Sequence, residues 1–245
     1  MSQYQIIKLR AIESTNEYLK KRILIQGKKT EHVVWALDQT QGKAQSNKTW
    51  LSSVGNSLTF SLYKEFDKVN PSNHYIINVL VSLATIKTLN EFGVNNVLIK
   101  WSNDIMADNR KIAGLLIENF IQSKTMIGSI IGIGINVNHR QPYDNLDMTS
   151  MHMVSGQSFE LRDVLEEFLK CVNRYYFEYQ IKGIETLLEK YAGLLWGKEH
   201  TKKLIIGGKP MKGKLIKLNS DGNLLIELPN NQILAYHHSK VKITY

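Results

Sequence analysis

The stretch from Met126 to Val137 is almost continuously apolar, and it restricts the fold more than any other segment of this sequence. A run of this kind is typical of a central strand that is covered on both faces. Three glycines, Gly128, Gly132 and Gly134, interrupt it. Because glycine weakens a strand interior, they predict a place where a ligand or another chain approaches the backbone closely. We therefore expect a layered fold with a functional surface on this strand.

Strands and helices alternate on either side of this segment. The hydrophobic pattern predicts strands at residues 4–10, 33–37 and 56–63, and helices at 14–26, 71–92, 159–179 and 184–195. Ser14 begins a capping-box sequence, and Gly27 and Gly93 are predicted stop signals for two of the helices. The polar segment 38–49 is too long for a tight turn, and a loop of this size usually has a function.

The composition changes near residue 200. From Thr201 onward, short β-rich runs alternate with turn sequences at 207–208, 219–223 and 229–231. This alternation is typical of a small all-β barrel. We therefore expect two domains, residues 1–197 and 198–245.

The overall composition excludes several classes of protein. Of the 245 residues, 43% are hydrophobic and 22% are charged, as in ordinary soluble domains. No stretch approaches the ~20 apolar residues of a membrane span, and the first residues lack a secretion signal, so we expect a cytoplasmic protein without membrane contact. Cys171 is the single cysteine, which excludes an internal disulfide and a cysteine-based zinc site. The net charge of +9 is compatible with nucleic acid, ATP or an acidic protein partner.

Residues 97–118 hold a block of charged and amide side chains. Two apolar runs flank a turn sequence at Asp108, and this pattern predicts a hairpin of two strands. Lys100, Asp104 and Lys111 would lie at its polar end. A carboxylate there can hold Mg²⁺ with its phosphates and an ammonium group can neutralise a phosphate, so the block suggests chemistry on a nucleotide phosphate. The alternative is that each charge is a solvated surface group.

Two further segments carry side chains suited to ligand binding. Ser14, Thr15 and Asn16 place two hydroxyls and an amide at a helix N-terminus, where backbone N–H groups also point outward. A polar, uncharged ligand group would fit there, and the alternative is plain N-capping. In the loop 39–50, a glycine permits close approach to a phosphate, lysines supply charge, and Trp50 could pack on an adenine. The alternative is a polar surface loop.

Four blocks of the sequence, in this order, resemble those of biotin protein ligases, the enzymes that attach biotin to a lysine of carrier domains in carboxylases. The blocks are Ser14-Thr15-Asn16, the loop from Gln39-Thr40 to Trp50, Lys100-Trp101-Ser102-Asn103-Asp104 with Arg110-Lys111-Ile112-Ala113-Gly114, and the strand from Gly132 to Asn138. The resemblance is dense over residues 5–140. It implies an α+β fold with a mixed, mostly antiparallel sheet packed by helices, as in class II synthetase catalytic domains, and a small C-terminal SH3-like β-barrel.

The resemblance also implies the reaction and its participants. ATP would activate biotin as biotinyl-5′-AMP with Mg²⁺ as cofactor, and a lysine of a biotin carboxyl carrier protein or domain would then take the biotin. Lys111, Lys43 and Lys100 would be catalytic, and Asp104 with Asn103 would organise the metal. The residues assigned to ATP or adenylate binding are Lys48, Trp50, Asn103 and Asn136. The residues assigned to biotin are Ser14, Thr15, Asn16, Gln39, Gly42, Lys43, Ala44, Gln45, Lys111, Gly114, Gly132 and Gly134.

The loop departs from the family pattern in a way that bears on the adenylate. Lys43 replaces the usual arginine, and Ala44, Gln45 and Ser46 stand where the loop is normally richer in glycine and arginine. Arginine clamps a phosphate with two parallel hydrogen bonds, whereas lysine offers a point charge. We therefore predict that the adenylate is held less tightly than in arginine-rich relatives. Ser102 replaces a proline, and we expect little effect on ligand contacts.

Two other interpretations stay open at this point. A lipoate or octanoate ligase or transferase has the same kind of fold, but its longer apolar ligand favours an apolar tunnel over the polar set at residues 14–16. A basic module that binds RNA or a protein would explain the charge but would leave the Lys111 and Gly132 blocks without a role. The family members that repress transcription carry an N-terminal DNA-binding domain, and we expect neither that domain nor a DNA partner here. An exposed edge strand could pair two copies as a homodimer or dock the acceptor.

Overall fold

The computed structural model describes residues 4–26, 31–45, 48–122, 124–141, 147–198 and 200–244. The strands of its larger sheet are β1 (Gln5–Ile12), β2 (His32–Gln39), β3 (Ser57–Lys64), β4 (Val97–Lys100), β5 (Asp104–Ala107), β6 (Arg110–Gln122) and β7 (Thr125–Asn136). Their spatial order is β1-β2-β3-β7-β6-β5-β4, and only the β1–β2 pair is parallel. The α-helices are α1 (Thr15–Gln26), α2 (Ile76–Glu91), α3 (Met151–Ser155) and α4 (Leu161–Gly193). The predicted α+β class and mostly antiparallel sheet are confirmed.

Strand β7 is the middle strand of this sheet, as its apolar sequence predicts. One face of the sheet packs against α1 through a cluster that contains Leu19, Tyr63 and Ile130. The other face packs against α2 and α4, where the rings of Phe60 and Phe168 meet edge to face with their centroids 5.1 Å apart. All five side chains are buried. Because both faces are covered, β7 shows no alternation of polar and apolar residues.

The block 97–118 forms three strands where the pattern predicts two. Strand β4 ends at Lys100, the turn 101–103 reverses the chain, and β5 pairs with β4 so that Lys100 lies opposite Asp104. The polar residues of this turn interrupt the apolar run, which is the signal for the additional reversal. The turn at 108–109 has the predicted form, since both residues have positive φ, as a two-residue hairpin loop requires.

Two predicted helices differ in detail from the structure. Pro71 begins a separate 3₁₀ turn (Pro71–Asn73), and α2 begins only at Ile76. The two predicted C-terminal helices are the two segments of α4, which separate at Gly183. Its φ of 77° lies in the left-handed region, where glycine carries no steric penalty. The predicted stop signal Gly27 lies outside the described residues.

The chain after α4 forms a second sheet in the spatial order β11-β10-β9-β8-β12, with every pair antiparallel. Its strands are β8 (Thr201–Ile206), β9 (Lys209–Leu218), β10 (Leu224–Glu227), β11 (Ile233–Tyr236) and β12 (Val241–Ile243). This small sheet is consistent with the predicted SH3-like barrel. Leu215 and Ile226 belong to the same buried cluster as the main core. The predicted boundary between residues 197 and 198 stays a prediction.

One edge of the larger sheet is partly covered by the segment that follows α4. The Ile99 N–H donates to the Leu194 C=O at 2.7 Å, and the Trp196 N–H donates to the Ile99 C=O at 2.8 Å. At the opposite edge, β1 pairs only with β2 among the described strands. Among the described strands of the larger sheet, β1 is therefore the edge with an unpaired side, and its pairing with another chain stays a prediction. In the described part of the chain, no helix combines the length and apolarity that crossing a bilayer requires.

Candidate functional site

The C-terminal ends of β1 and β2 bring Ser14, Thr15 and Gln39 together. Because β1 and β2 run parallel with Ile12 opposite Gln39, both strands end on the same side. Helix α1 begins at Thr15, whose backbone N–H and hydroxyl donate to Gln39 Oε1 at 2.8 and 2.9 Å. Ser14 Oγ accepts from the Glu17 N–H at 3.5 Å, which is an N-cap contact. A side chain at the end of β2 thus fixes the N-terminus of α1.

Asn16 is buried against the sheet, and its amide is hydrogen-bonded at both ends. Oδ1 accepts from the Ser61 hydroxyl at 2.5 Å, while Nδ2 donates to Glu118 Oε2 at 3.0 Å and to the Leu116 C=O at 3.5 Å. Gly132 of β7 lies beside this amide, and a Cβ at that position would be 2.3 Å from Asn16 Oδ1. Only glycine therefore leaves room for Asn16. The close approach predicted for this strand is made, in part, by α1.

The loop between β2 and β3 folds back on itself. The Ala44 N–H donates to the Lys48 C=O and the Trp50 N–H donates to the Gly42 C=O, both at 2.8 Å. Gly42 has no space for a side chain, since a Cβ there would be 2.6 Å from the Trp50 carbonyl oxygen. These contacts fix the direction in which Trp50 leaves the loop.

The indole of Trp50 lies over the glycines of β6 and β7, which face each other in the sheet. Gly114 is paired with Gly134. A Cβ at Gly134 would be 2.2 Å from the indole, and one at Gly114 would be 2.9 Å from it. The indole Nε1 is buried and has no hydrogen-bond partner among the described residues. Gly114, Gly132 and Gly134 together form a surface without side chains, which we call the glycine surface.

Lys111 and Asp104 form an ion pair across β5 and β6. Lys111 Nζ lies 2.6 Å from Asp104 Oδ1 and 5.4 Å from the centroid of the Trp50 ring. Asn103, in the preceding turn, is fixed by β6, since its Nδ2 donates to the Leu115 C=O and its own C=O accepts from the Leu115 N–H, both at 2.9 Å. A cation, a carboxylate and an amide therefore lie beside the glycine surface.

Lys100 is buried between the two sheets. Its side chain lies near the ring of Trp196, with Nζ 5.2 Å from the centroid, and Lys202 of β8 lies over the same ring at 4.0 Å. Burial lowers the pKa of Lys100 to about 8, because desolvation disfavours the ammonium form. The negative charge of Asp104 opposes this shift, and the positive charge of Lys111 adds to it. Lys100 can therefore lose its proton near physiological pH.

Lys43 and Gln45, both in the loop between β2 and β3, contact different parts of the molecule. Lys43 forms an ion pair with Glu17 at 2.7 Å, and this hydrogen bond raises the pKa of Lys43 and lowers that of Glu17. The Lys43 side chain is 56% exposed, so its charge is solvated. Gln45 Oε1 accepts from the Ser102 hydroxyl at 3.2 Å, and Gln45 Nε2 lies 3.4 Å from His238 Nδ1. Gln45 thus connects the loop to the second sheet.

Most of the residues predicted from the sequence line one cavity over the glycine surface, with about 410 Å³ of empty space when its open mouth is included. They are Ser14, Thr15, Asn16, Gln39, Lys43, Ala44, Trp50, Asn103, Lys111, Gly114, Gly132 and Gly134. A neighbouring groove between the sheets is lined by Gln45, Lys48, Lys100, Asn103 and Asp104. Gly42 borders a separate cavity on the loop.

Asn136 is not among the residues that line the cavity. It is buried, and its Nδ2 donates to the Thr149 C=O at 3.0 Å. Its predicted role in adenylate binding stays a prediction. Ser46 of the predicted loop, together with Asn47, lies outside the described residues.

Ser61 and Glu118, which both contact Asn16, are not among the site residues predicted from the sequence. Ser61 lies on β3, where Thr59 and Ser61 alternate with Phe60 and place small hydroxyl side chains on the face toward α1. Glu118 follows Gly114 by four residues on β6, so its side chain lies on the same face as the glycine surface. In both strands, side chains alternate between the two faces of the sheet, and this alternation was the signal that could have identified Ser61 and Glu118.

Three comparisons with known proteins agree with this geometry. The model of the biotin/lipoate A/B protein ligase family matches residues 9–136, which is more than half of the chain. The bifunctional ligase/repressor BirA of Bacillus subtilis (strain 168) is 30% identical over 203 residues, and the alignment covers 80% of this chain and 61% of that protein. The BirA of Escherichia coli (strain K12) is 27% identical over 222 residues, covering 89% of this chain and 68% of that protein.

A solved structure shares the fold over its whole length. The biotin protein ligase from Aquifex aeolicus in complex with biotin and ATP superimposes with a TM-score of 0.80 at 24% identity, and 98% of each chain is covered. This likeness shows the fold alone, since identity at this level carries no residue roles. The family model, by contrast, matches the sequence segments that form the cavity. This chain therefore belongs to the biotin/lipoate A/B protein ligase family.

Proposed function

We propose that this chain is a biotin protein ligase that activates biotin with ATP to biotinyl-5′-AMP and transfers the biotin to a lysine of a carboxylase carrier domain. One observation carries the proposal: a single cavity is lined by the buried polar groups at the start of α1, by the glycine surface and by Lys111. Uncharged hydrogen-bonding groups suit the ring of biotin, and a cation suits its carboxylate and a phosphate. The likeness to bacterial bifunctional ligase/repressors and to an Aquifex aeolicus protein that binds biotin and ATP supports it.

In the first step, a carboxylate oxygen of biotin attacks the α-phosphorus of ATP. The bond between the α-phosphorus and the oxygen that bridges to the β-phosphorus breaks, and pyrophosphate leaves with that electron pair. Negative charge accumulates at the reacting oxygens, so catalysis is mostly electrostatic and needs no covalent nucleophile of the enzyme. Lys111, which lies beside both the glycine surface and Asp104, is placed to stabilise this charge.

The proposal includes Mg²⁺. Asn103 and Asp104 offer an amide oxygen and a carboxylate, which are the oxygen ligands that Mg²⁺ prefers, with phosphates and water as the remaining ligands. Within the described residues, no group of three His, Cys, Asp or Glu side chains could hold a metal alone, so the ion would arrive with the nucleotide. When bound, it would neutralise phosphate charge.

In the second step, the neutral amine of an acceptor lysine attacks the carbonyl carbon of the mixed anhydride. AMP leaves with the electron pair of the C–O bond, and the new amide loses its extra proton to the medium. The groove beside the cavity contains Lys100, whose pKa of about 8 permits it to give up or accept a proton during this step. We propose a biotin carboxyl carrier protein or domain as the acceptor and the cytoplasm as the place of reaction. The β1 edge is the surface that could pair two copies.

The experiment that tests the proposal combines the purified protein with labelled biotin, MgATP and a biotin carboxyl carrier domain. We expect label on the carrier lysine only when ATP is present, and very little with Lys111→Ala. Parallel reactions contain lipoate or octanoate instead of biotin. Transfer of those acids but not of biotin would replace this proposal with the alternative of a lipoate or octanoate ligase, and transfer of none of them would refute it.

A further inference from the structure

A chain of polar contacts runs from the surface of α1 to the cavity, and the reaction proposed above gives its outer members no role. Lys20 Nζ lies 3.1 Å from Glu118 Oε1, and the other carboxylate oxygen of Glu118 accepts from Asn16 Nδ2 at 3.0 Å. Asn16 Oδ1 accepts from Ser61 and lies over Gly132, which lines the cavity. The Glu118 and Lys20 side chains are about one-third exposed, whereas Asn16 is buried. The contacts therefore connect a partly exposed ion pair to a buried amide.

The acceptors around Asn16 determine which way its amide points. With Nδ2 toward Glu118 and the Leu116 C=O, each of these contacts joins a donor to an acceptor. Rotation of the amide by half a turn would place Oδ1 against a carboxylate and a carbonyl oxygen, which repel it. Ser61 accepts either orientation, because its hydroxyl can donate or accept. The discrimination therefore comes from Glu118 and Leu116, and a charged acceptor makes the stronger hydrogen bond.

We propose that Glu118, supported by Lys20, is a positioning residue that keeps the Oδ1 of Asn16 facing the cavity as a fixed hydrogen-bond acceptor. The cavity then selects a ligand that presents a ring N–H to this oxygen, as a cyclic urea does. This inference rests on the proposed function, in which that N–H belongs to the ureido ring of biotin. Without Glu118, only the weak contact with the Leu116 C=O at 3.5 Å opposes the other orientation, so the amide populates both. Only the correctly oriented fraction then binds the ligand, which lowers the apparent affinity.

A double-mutant cycle on biotin affinity tests the inference. The dissociation constant of biotin is measured by calorimetry without ATP for the unmodified protein, Glu118→Met, Asn16→Ala and the double variant. We expect Glu118→Met to weaken biotin binding about twofold, because an amide that populates both orientations leaves about half of the molecules competent to bind. Because Glu118 acts through Asn16, the double variant should bind biotin no more weakly than Asn16→Ala alone.

Three further measurements separate positioning from general destabilisation. Glu118→Gln combined with Lys20→Met keeps an acceptor for Asn16 Nδ2 and removes the ammonium that would compete for the single amide oxygen, so this variant should restore most of the affinity lost in Glu118→Met. The KM for ATP should stay unchanged in every Glu118 variant. Glu178→Gln is the matched control, since Glu178 of α4 also pairs with lysines, Lys182 at 3.0 Å and Lys190 at 2.7 Å. It should leave biotin affinity unchanged. The melting temperature of each variant reports whether it is folded.

The outcomes distinguish the two proposals. The positioning role is wrong if the affinity losses of the two single variants multiply in the double variant, or if Glu118→Met binds biotin as tightly as the unmodified protein. Either result would leave the proposed function intact. Failure of the unmodified protein to bind biotin would overturn the proposed function, and the positioning role with it.

Discussion

The two ends of the candidate site are built on different physical principles. At the α1 end, Thr15 and Asn16 are 2% and 3% exposed, and they hydrogen-bond to residues of three strands. At the loop end, Lys43 is mostly solvated and Lys48 is exposed. A neutral ring is recognised only by donors and acceptors that are already in place, because unpaired buried groups are costly. A phosphate attracts cations over a longer distance, so solvated lysines can serve it. Substitutions that affect only one end of the site test this contrast.

The largest effect is expected for Lys111→Ala, which removes the cation beside the glycine surface. Because Lys111 would stabilise charge that develops only during adenylate formation, we expect pyrophosphate release to slow about 10²-fold to 10³-fold, as for other single oxyanion-stabilising groups. The dissociation constant of biotin without ATP should rise by a much smaller factor, about tenfold at most, since only the contact of Lys111 with the carboxylate is lost and the ring contacts stay in place. Pyrophosphate release and calorimetry measure the two quantities. Equal losses in both would show that the two ends are not separable.

The next effect is expected for Gly132→Ala, which damages the α1 end alone. The added Cβ would be 2.3 Å from Asn16 Oδ1, and Asn16 cannot move without breaking its contacts with Ser61 and Glu118. Overpacking of this kind costs about 1–3 kcal/mol of stability, and because it displaces Asn16 from the ligand, we expect biotin affinity to fall about fivefold or more. Gly193→Ala is the control, because nothing lies within 4 Å of a Cβ there. Unchanged biotin affinity in Gly132→Ala would remove the steric basis for the glycine surface.

Lys100 lies in the groove beside the cavity, and the pH dependence of stability measures its burial. Its pKa is about 8 in the folded protein and 10.5 when unperturbed, so between these values the unfolded chain binds more protons and stability rises with pH. Lys100→Met lacks this gain. Between pH 8 and pH 10, we expect the free energy of unfolding of Lys100→Met to fall by about 1–2 kcal/mol relative to that of the unmodified protein. This is less than the full pKa difference would give, because Lys100 is partly solvated. Urea unfolding at each pH measures the difference, and a constant difference would contradict the lowered pKa.

Much of the fold follows from the sequence, and the reason is periodicity. The apolar run of β7 predicts a central strand, and the serine, threonine and glycine blocks predict residues that the fold gathers around one cavity. Local patterns do not encode contacts between distant segments. The split of block 97–118 depends on a turn whose residues are weak signals. Ser61 and Glu118 gain their roles only when α1 lies on the sheet, and Lys100 acquires its lowered pKa only when the second sheet covers it.

The smallest effect concerns how the loop retains the adenylate. Lys43 is solvated and paired with Glu17, so it offers a phosphate one mobile charge. Arginine at this position could make two parallel hydrogen bonds to the phosphate, and we expect Lys43→Arg to slow the escape of biotinyl-adenylate about twofold to fivefold. Escape is measured by separating free from bound adenylate after a single turnover without acceptor. Lys182→Arg, a change of the same kind on the distant helix α4, should leave escape unchanged. If Lys43→Arg also tightened biotin binding in the absence of ATP, the loop would serve the ring as well as the phosphate, and the division between the two ends would fail.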